Sequence, residues 1–575
     1  MVARRAALAI LVLGVAACAS HPPRPWEYRP RAMADTVPIL EPTERETSLA
    51  YDQIYGVMSG MGRVVNVNRH LGGIPPALNA DPFDGVVNSA WYTNRNQARA
   101  LTADEVARGP QTTEGPDQSG PVTIKSIKAE GITPGFNIED AAGIRYIVKF
   151  DPPENPEMAS GAEVISTNLL WAAGYNVPEN YVFQLDPTNL VMDDDLELDV
   201  LEDGGLVHYQ VGADDPSREL TLAVFQRAIL DRYPRSADGT IRALASRFLE
   251  GSPKGPLAWE GMRNDDPNDV IPHQHRREVR GLYVVAAWLN HVDTKQGNTL
   301  DMFIESEASP EGEDAPKIGY LRHNLLDFGS TLGSGAAHPH NPRHGSEYDF
   351  DATAVLLRFF TLGLYKRPWQ RMEREPQTHP STGFYSVEIF NPGDWRPNIV
   401  NPAFINRTAR DGYWGAKIVM SFTNEQLAAA VASGRYSDPA AAAYVLRGLR
   451  DRRDATGRYW FEKVSPLDRP RLEGSVVVFD DLWRRYFGGG TGYRWKLSWD
   501  APDPDIDVGG VVSEAAIPLP PAPSALPASL DPEAAHARLQ VWKVFDGGDE
   551  SDRPAEFWLA YDPVSRAWRV AGARY

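Results

Sequence analysis

Two short stretches of the chain carry oxygen-bearing side chains at spacings that suit a metal ion and phosphates. In NHVDTKQGNTLDMF, Asp293 and Asn298 lie five residues apart, and Asp327 opens an Asp-Phe-Gly triplet in LLDFGSTLG. Carboxylate and amide oxygens are ligands that Mg²⁺ prefers, and a glycine after Asp327 lets the chain turn tightly beside a metal. The alternative interpretation is an ordinary surface loop followed by a turn after a strand.

A lysine and a glutamate upstream could complete such a site. Lys149 ends the predicted strand IRYIVKF, and Glu163 lies on the helix predicted after it. A lysine on a strand can reach nucleotide phosphates and needs an anionic partner, while Asp293 could orient an attacking hydroxyl. Taken singly, Lys149 is typical of a solvated strand end and Glu163 of a charged helix surface. Together with the downstream motifs, they indicate phosphoryl transfer.

Hydrophobic patterns indicate the elements that would position these residues. Strands are predicted at VTIKSIKAEG and IRYIVKF, joined as a hairpin through a turn-rich connector, and at NYVFQL. A helix is predicted before the last strand, because apolar residues from Ala162 to Ala173 recur at helical spacing and Gly174 suits its C-cap. The other predicted elements are a helical block over about 216–290, paired strands at 299–304 and 317–327, and helices at 352–365, 424–433 and 438–453.

Taken in order, these elements resemble a protein-kinase-like fold, with a small mixed β lobe, a mainly helical large lobe and the site between them. HVDTKQGN resembles the kinase catalytic loop His-x-Asp-x-x-x-x-Asn, and LLDFGSTLG resembles the metal-binding Asp-Phe-Gly segment. The surrounding sequence is closer to atypical groups, namely phosphatidylinositol 3/4-kinases, HipA toxin kinases and bacterial spore-coat kinases. AAGYNVPENYVFQL resembles the HipA-type passage from helix to strand. The resemblance covers about residues 120 to 460.

The resemblance implies ATP and Mg²⁺ as cofactors and an unknown hydroxyl-bearing acceptor. The implied roles are phosphate binding for Lys149 with Glu163 as its ion-pair partner, catalysis for Asp293, metal binding for Asn298 and Asp327, and support of the loop for His291. The same fold could also transfer a whole nucleotide monophosphate.

The chain departs from the kinase pattern in three places. It has no Gly-x-Gly-x-x-Gly, so Gly131 and Gly135, in EGITPGFN, are the candidates for phosphate binding by a loop. The step from Asp293 to Asp327 is longer than usual for protein kinases, and the acidic loop 305–316 is the predicted insertion. No Ala-Pro-Glu follows Asp327, so a standard peptide-docking segment is not expected.

The N-terminus predicts export and lipidation. Arg4 and Arg5 precede the apolar run AALAILVLGVAAC, which is typical of a signal peptide and too short to span a membrane. Cys18, the only cysteine, stands where bacterial lipoproteins carry their lipid, and Ala19 after it favours the outer membrane. A plain export signal with an incidental cysteine is the alternative. We therefore expect a protein of the bacterial cell envelope with a lipid as its only anchor.

The net charge of the chain limits the kinds of partner that it can bind. The chain has 575 residues and a formal net charge of −19, which argues against a nucleic-acid partner because that would need a basic face.

The expected fold class is α+β, a kinase-like bilobal core with a small all-β, sandwich-like C-terminal domain. The predicted boundaries are a signal peptide (1–18), a tether (19–49), an N-terminal extension (50–120), an N-lobe (121–215), a helical C-lobe (216–465) and a β-rich domain (466–575).

Two other classes of function remain open at this point. A zinc hydrolase could use His338, His340 and His344, with His323 and the HQH at 273–275 nearby, although no His-Glu-x-x-His is present. An envelope scaffold or binding lipoprotein with a kinase-like fold and no turnover is the other, because ATP is scarce beyond the inner membrane. Nucleophilic hydrolases are disfavoured, since no Gly-x-Ser-x-Gly exists and the lone cysteine is assigned to the lipid. Tryptophans of the C-terminal strands are predicted to be core.

Overall fold

The computed structural model describes residues 34–46, 54, 58, 73–128, 135–202, 204–310, 312, 315–335, 337–372, 379–499, 507–520, 536–562 and 567–575. The chain divides into two compact units: a large unit of residues 33–77 and 87–463, and a C-terminal unit that contains residues 78–86 and 464–575. Helices and several sheets are both present, so the fold class is mixed α+β. Cys18 and the predicted signal peptide lie outside the described residues.

The elements are numbered in chain order. The helices are α1 (Ala103–Arg108), α2 (Met158–Ala173), α3 (Leu222–Ala228), α4 (Arg277–Leu289), α5 (Ala352–Phe360), α6 (Pro402–Ile405), α7 (Ala409–Met420), α8 (Asn424–Ser433), α9 (Pro439–Lys463) and α10 (Leu482–Phe487). The strands are β1 (Ile39–Leu40), β2 (Val122–Lys128), β3 (Gly135–Glu139), β4 (Arg145–Lys149), β5 (Asn180–Leu185), β6 (Leu190–Met192), β7 (Glu197–Glu202), β8 (Gly205–Gln210), β9 (Ile241–Arg247), β10 (Ser252–Pro253), β11 (Thr299–Glu305), β12 (Ile318–Leu325), β13 (Leu467–Glu473), β14 (Val476–Asp481), β15 (Gly492–Trp499), β16 (Asp507–Val512), β17 (Ala516–Pro518), β18 (His536–Val544), β19 (Ala555–Asp562) and β20 (Ala567–Arg574).

A six-stranded sheet of the large unit carries Lys149. Its strand order is β5-β9-β4-β3-β2-β6, antiparallel except where β2 pairs with β6. The predicted hairpin is a three-stranded meander, because the connector itself contains β3. Phe136 and Ile138 alternate into the core and favour that strand. Beside this sheet, β7 and β8 form a separate two-stranded hairpin.

The predicted helical block over 216–290 is wrong at β9. This strand lies between β5 and β4 in the sheet, and its residues Ile241, Ala243 and Ala245 are buried at every second position. That alternation is the period of a strand. The block therefore contributes a central strand of the sheet as well as the helices α3 and α4.

Strand register places Lys149 on the face of the sheet that α2 covers. Lys149 pairs with Leu244, and Leu244 pairs with Val182. Directly opposed residues of antiparallel strands point to the same side. Leu244 and Val182 pack against Val164 of α2, so Lys149 projects toward this helix. The other face of the sheet forms a larger core that includes α3.

A four-stranded sheet, ordered β1-β12-β11-β10, lies further along the large unit. The predicted strand pair is confirmed, since β11 and β12 are antiparallel partners from Thr299 to Glu305. The prediction of a tether over 19–49 is wrong for residues 34–46. There β1 pairs with β12, and Ile39 packs against Phe303 and Leu321. An extended, proline-containing segment can add to a sheet edge when it offers an apolar side chain.

Helices α4, α7 and α9 form the centre of the helical part. Every residue of α4 is buried, and Trp288 donates a hydrogen bond from Nε1 to the Leu449 carbonyl of α9 at 2.9 Å. A Cβ at Gly281 would lie 2.3 Å from the Trp414 ring of α7, so this close crossing requires glycine. Among the described residues, no helix has the length and apolar character needed to cross a bilayer.

The C-terminal unit is built from two antiparallel sheets, ordered β13-β14-β17 and β16-β15-β18-β19-β20. Phe479 of the first sheet contacts Tyr493 and Phe557 of the second, with ring centroids 5.1 and 5.7 Å apart. Of the tryptophans predicted to be core, Trp495 and Trp558 are buried, whereas Trp542 and Trp568 are only half-buried. The expectation of an all-β C-terminal domain is wrong at α10. Its N-cap Asp481 accepts a hydrogen bond from the backbone N–H of Arg484.

Candidate functional site

The predicted catalytic loop begins where α4 ends. Asn290 is the C-cap of α4 and has left-handed backbone, with φ of 53°, a conformation that asparagine tolerates. Its Oδ1 accepts a hydrogen bond from Trp395 Nε1 at 2.9 Å. The Asn398 N–H donates to the Val292 carbonyl at 2.8 Å. The start of the loop that carries Asp293 is therefore held by a buried helix and by two bonds from a neighbouring segment.

Asp293 and Asn298 meet across the five-residue step. Asn298 Nδ2 donates to the backbone oxygen of Asp293 at 2.8 Å and to its Oδ2 at 3.0 Å. Asn298 can reach Asp293 because Gln296–Asn298 forms a turn of 3-10 helix. Lys295 Nζ lies 2.8 Å from the same Oδ2 of Asp293. The loop thus places a carboxylate, a cation and an amide within one hydrogen-bonded group.

The β11–β12 hairpin returns the chain to this loop. Thr299 pairs with Leu325 at the open end of the hairpin, and the Leu326 N–H donates to the Asn298 carbonyl at 2.9 Å. Asp327 follows directly. The long step between the two motifs is therefore a hairpin, and its pairing keeps Asn298 and Leu326 in contact although many residues separate them in the chain.

Asp327 stands at the end of this hairpin in contact with Lys149. Its backbone is left-handed, with φ of 59°, an uncommon conformation outside glycine that aspartate adopts more readily than most residues. Its Oδ1 lies 3.4 Å from Lys149 Nζ. The Asp327 side chain is 49% exposed and that of Lys149 is 28% exposed. The pair is open to a ligand, and its residues come from β4 and from the end of β12.

Glu163 lies beneath this pair and is buried. Its carboxylate accepts hydrogen bonds from the backbone N–H groups of Phe328 and Gly329 and from Asn180 Nδ2, the last at 3.1 Å. The direct ion-pair partner of Lys149 in this structure is Asp327, and Glu163 acts on Lys149 through its charge. The predicted partner therefore also holds the Asp-Phe-Gly turn.

The ionisation of these groups depends on one another. Desolvation raises the pKa of Glu163 to about 7, against the opposing charge of Lys149. Desolvation would also raise the pKa of Asp327, but Lys149 and then Lys295 hold it below its usual value. Burial would lower the pKa of Lys149, but Asp327 and Glu163 raise it. At neutral pH the site therefore holds a lysinium beside a charged Asp327.

His291 supports the loop as a neutral ring. Burial lowers its pKa to about 4, although the charges of Asp293 and Asp327 oppose the shift. Its ring meets Phe328 edge to face, with centroids 5.6 Å apart. Phe328 is fully buried, and Thr331 Oγ1 donates to its carbonyl at 2.7 Å. His291 and Phe328 therefore join the two motifs through packing.

The glycine candidates divide between described and undescribed residues. Gly135 opens β3 opposite Lys149, where a Cβ would lie 2.6 Å from the Val148 carbonyl. Its lack of a side chain permits this close strand pairing. Gly131 lies outside the described residues, so its predicted role stays a prediction.

Two site residues were not singled out from the sequence. Lys295 lies inside the HVDTKQGN motif, bonds Asp293, and contributes to the lowered pKa of Asp327. A lysine two residues after the aspartate is a signal that could have found it. Asn180, which holds Glu163 and Thr167, opens the predicted strand NYVFQL and has no such signal. Its role depends on the pairing of distant elements.

The donor set fits a hydrated Mg²⁺ with a bound phosphate. Both bonds from Asn298 to Asp293 use the amide nitrogen, which leaves the amide oxygen, the atom a hard cation would use. Asp327 offers a half-exposed carboxylate. Within the described ranges, no group of three or more His, Cys, Asp or Glu residues could hold a metal by itself. Mg²⁺ commonly needs only one or two carboxylates, because waters and substrate phosphates complete its shell.

The histidines that were considered as zinc ligands have other partners in the structure. The His340 and His344 rings stack with centroids 4.1 Å apart and planes at 10°, and burial lowers the pKa of His340 to about 3. His323 Nδ1 is 2.7 Å from Asp301 and its ring stacks on Trp91. His273 pairs with Asp269 at 2.6 Å. In the described part of the chain, these residues, with His338 and His275, form no group able to hold a metal.

Comparison with known proteins leaves the geometry as the basis for a functional assignment. The chain matches no protein-family model, and neither the comparison with curated proteins nor that with solved structures found a similar protein.

Proposed function

We propose that this chain is an ATP- and Mg²⁺-dependent phosphotransferase of atypical kinase-like fold that acts on a hydroxyl acceptor in the cell envelope. One observation carries the proposal. Two motifs at the two ends of the β11–β12 hairpin, together with a lysine from β4 and a buried glutamate from α2, lie close together, and the Lys149–Asp327 pair among them is open to solvent. Phosphoryl transfer requires such a combination, because catalysis there consists of holding phosphates, neutralising charge and orienting the attacking group.

The arrangement of elements supports a bilobal, kinase-like core. The sheet with Lys149 is covered on one face by α2, which carries Glu163. The chain then enters the helical part through β9 and reaches the loop after α4. Kinases place their lysine on a strand, its glutamate on a helix, and the aspartate motifs after them. The order of the elements here is the same.

The reaction would form a bond from the acceptor oxygen to the γ-phosphorus while the bond from phosphorus to the leaving ADP oxygen breaks. Asp293 would accept the hydroxyl proton, and Lys295 would offset the negative charge beside it. Lys149 would bind phosphate oxygens after its contact with Asp327 is exchanged. Bound Mg²⁺ would neutralise phosphate charge, and its protein ligands would be Asn298 and Asp327.

The location of this activity is also proposed. We infer that Cys18 carries a lipid and that the protein resides in the bacterial envelope, on the strength of the signal sequence. ATP is scarce there, so a non-catalytic kinase-like scaffold is the second candidate. The contact between Lys149 and Asp327 favours it, because two ligand-binding groups already satisfy each other. Mass spectrometry of the mature chain checks the lipid.

Paired substitutions in the two motifs test the proposal. Asp327→Asn should lower the affinity for Mg²⁺-ATP by more than about 100-fold, because it removes a charged metal ligand. Asp293→Asn should leave this affinity within a few-fold and slow ATP hydrolysis, with water as acceptor, by roughly 10²–10⁴-fold. Asp199→Asn is the matched control, since Asp199 is 48% exposed and lies on β7, outside the site. Calorimetric titration and release of labelled phosphate are the measurements.

The outcomes separate the candidates. Equal affinity in the wild type and in Asp327→Asn would contradict the proposed site. No Mg²⁺-ATP binding by the wild type would favour the scaffold. A stoichiometric zinc content, lost in His338→Ala and His340→Ala, would instead support the hydrolase.

A further inference from the structure

The segment from Ala352 to Met372, which we call the 352–372 segment, exposes much apolar side chain. Its first part is α5, which begins after the N-cap Asp351. The most exposed side chains are Phe359 (73%), Phe360 (75%), Leu362 (93%) and Leu364 (84%), and Val355, Leu356 and Leu357 are exposed as well. A large exposed apolar patch marks a surface that binds a protein, a membrane or an apolar ligand.

The charge of this segment is opposite to that of the whole protein. It holds four basic residues and no acidic one, in a chain of net charge −19. Arg358 bonds Gln370, and Arg367 contacts Glu347. Lys366 and Arg371 are exposed. The patch therefore combines apolar side chains with three exposed cations, since Arg358, whose partner Gln370 is neutral, is exposed as well.

These two features together select among possible occupants. A second copy of the chain, related by a twofold axis, would place the same cations on both sides of the contact. An apolar groove of another protein would offer the cations no anionic partner. A membrane surface with anionic headgroups satisfies both, because a short helix with aromatic and leucine side chains beside Lys and Arg lies in the interface plane. Trp369 and Tyr365, half-buried beside the patch, are side chains typical of that interface.

We propose that the 352–372 segment docks the large unit onto an anionic phospholipid surface. α5 has nine residues, which is far too short to cross a bilayer, so the contact is with the headgroup region. Phe359, Phe360 and Leu364 enter it, and Lys366 and Arg371 pair with phosphates. This inference does not depend on the proposed phosphotransfer.

A local probe tests the proposal in the full chain. A Cys18→Ser background leaves no native thiol, and Leu364→Cys then receives an environment-sensitive fluorophore. Emission should shift to the blue with vesicles containing phosphatidylglycerol, and much less with phosphatidylcholine alone. Leu206→Cys, at a position 70% exposed on β8, is the matched control and should not shift. Lys366→Gln with Arg371→Gln should raise the lipid concentration needed by at least about tenfold.

Two outcomes would overturn the proposal. The first is a label at 364 that stays aqueous with anionic vesicles, or one that shifts no more than the label at 206. The second is a blue shift that grows with protein concentration in the absence of vesicles, because it would identify a second copy as the occupant.

Discussion

The two ends of α4 carry dense groups of charged side chains that are arranged in opposite ways. At the start of the helix, Arg277 and Arg280 pair with Asp411, and all three side chains are at most 2% exposed. Beyond the end of the helix, Lys149 and Asp327 pair while 28% and 49% exposed. Similar residue types thus form a closed cluster at one end and an open one at the other.

The charges of the closed cluster are paired within the protein. Arg276 contacts Asp35 at 2.8 Å, and Arg277 Nε lies 2.8 Å from Asp411 Oδ1. Arg280 also donates to the carbonyls of Gln274 and Pro75. Such a network positions helices and has no room for a ligand. Breaking it is costly, because the remaining charges stay away from water.

The open cluster contributes little to folding, because its charges remain in contact with water. An ion pair exposed to water is worth at most about 1 kcal/mol, so a ligand can replace it at small cost. The two ends of the helix differ in exposure and not in the kind of charge they carry, and the proposed binding site is at the end where water reaches the charges.

The largest expected effect tests this difference by removing one charge from each end. Asp411→Asn should lower the free energy of unfolding of the large unit by about 3–5 kcal/mol, since two buried arginines lose their carboxylate. Asp327→Asn should change it by less than about 1 kcal/mol. Urea denaturation followed by tryptophan fluorescence gives both values. Equal losses of unfolding free energy in the two variants would contradict the comparison, because the Lys149–Asp327 pair would then stabilise the fold as much as the closed cluster does.

A second prediction uses the pH dependence of Glu163, the buried carboxylate beneath the open cluster. The pKa of Glu163 is raised to about 7 in the folded protein from an ordinary value of 4.5. The folded state therefore binds the proton more tightly, and the stability from Glu163 is lost as pH rises from about 4.5 through 7. Glu163→Gln does not titrate, so it should gain on the wild type by up to about 3 kcal/mol at pH 8.

Urea midpoints of the two proteins at pH 5 and pH 8 measure this effect. The difference in favour of Glu163→Gln should widen with pH. If the stability difference between the two proteins does not change with pH, the protein does not raise the pKa of Glu163. If the difference narrows as the pH rises, the shift of this pKa has the opposite sign.

Local sequence patterns predicted the elements whose side chains alternate or repeat within the element. The β11–β12 hairpin and the helix containing Glu163 were predicted because their signals are local. The strand β9 was missed, since its central place in the sheet depends on pairing with β4 and β5. The packing of residues 34–46 was missed because a short edge strand carries almost no periodicity.

The candidate site was predicted through its motifs, and its connections were not. Asp293, Asn298 and Asp327 could be identified because their spacing is short and their chemistry specific. The bond between Glu163 and Asn180 could not, because it joins a helix to a strand. Nor could sequence show that Lys149 contacts Asp327, since this depends on the register that turns Lys149 toward α2.

The smallest effect concerns the glycine of the Asp-Phe-Gly turn. A Cβ at Gly329 would lie 3.2 Å from Glu163 Oε2 and 3.9 Å from Asp327 Oδ1. Gly329→Ala should push the buried carboxylate by a few tenths of an ångström, at a cost of about 1 kcal/mol, and weaken Mg²⁺-ATP binding several-fold. Gly297→Ala is the matched control, because its Cβ would approach only Lys295 Cε, at 3.9 Å. If the two variants bind Mg²⁺-ATP equally well, Glu163 does not organise the ligand-binding turn, and its bonds to Phe328 and Gly329 serve packing alone.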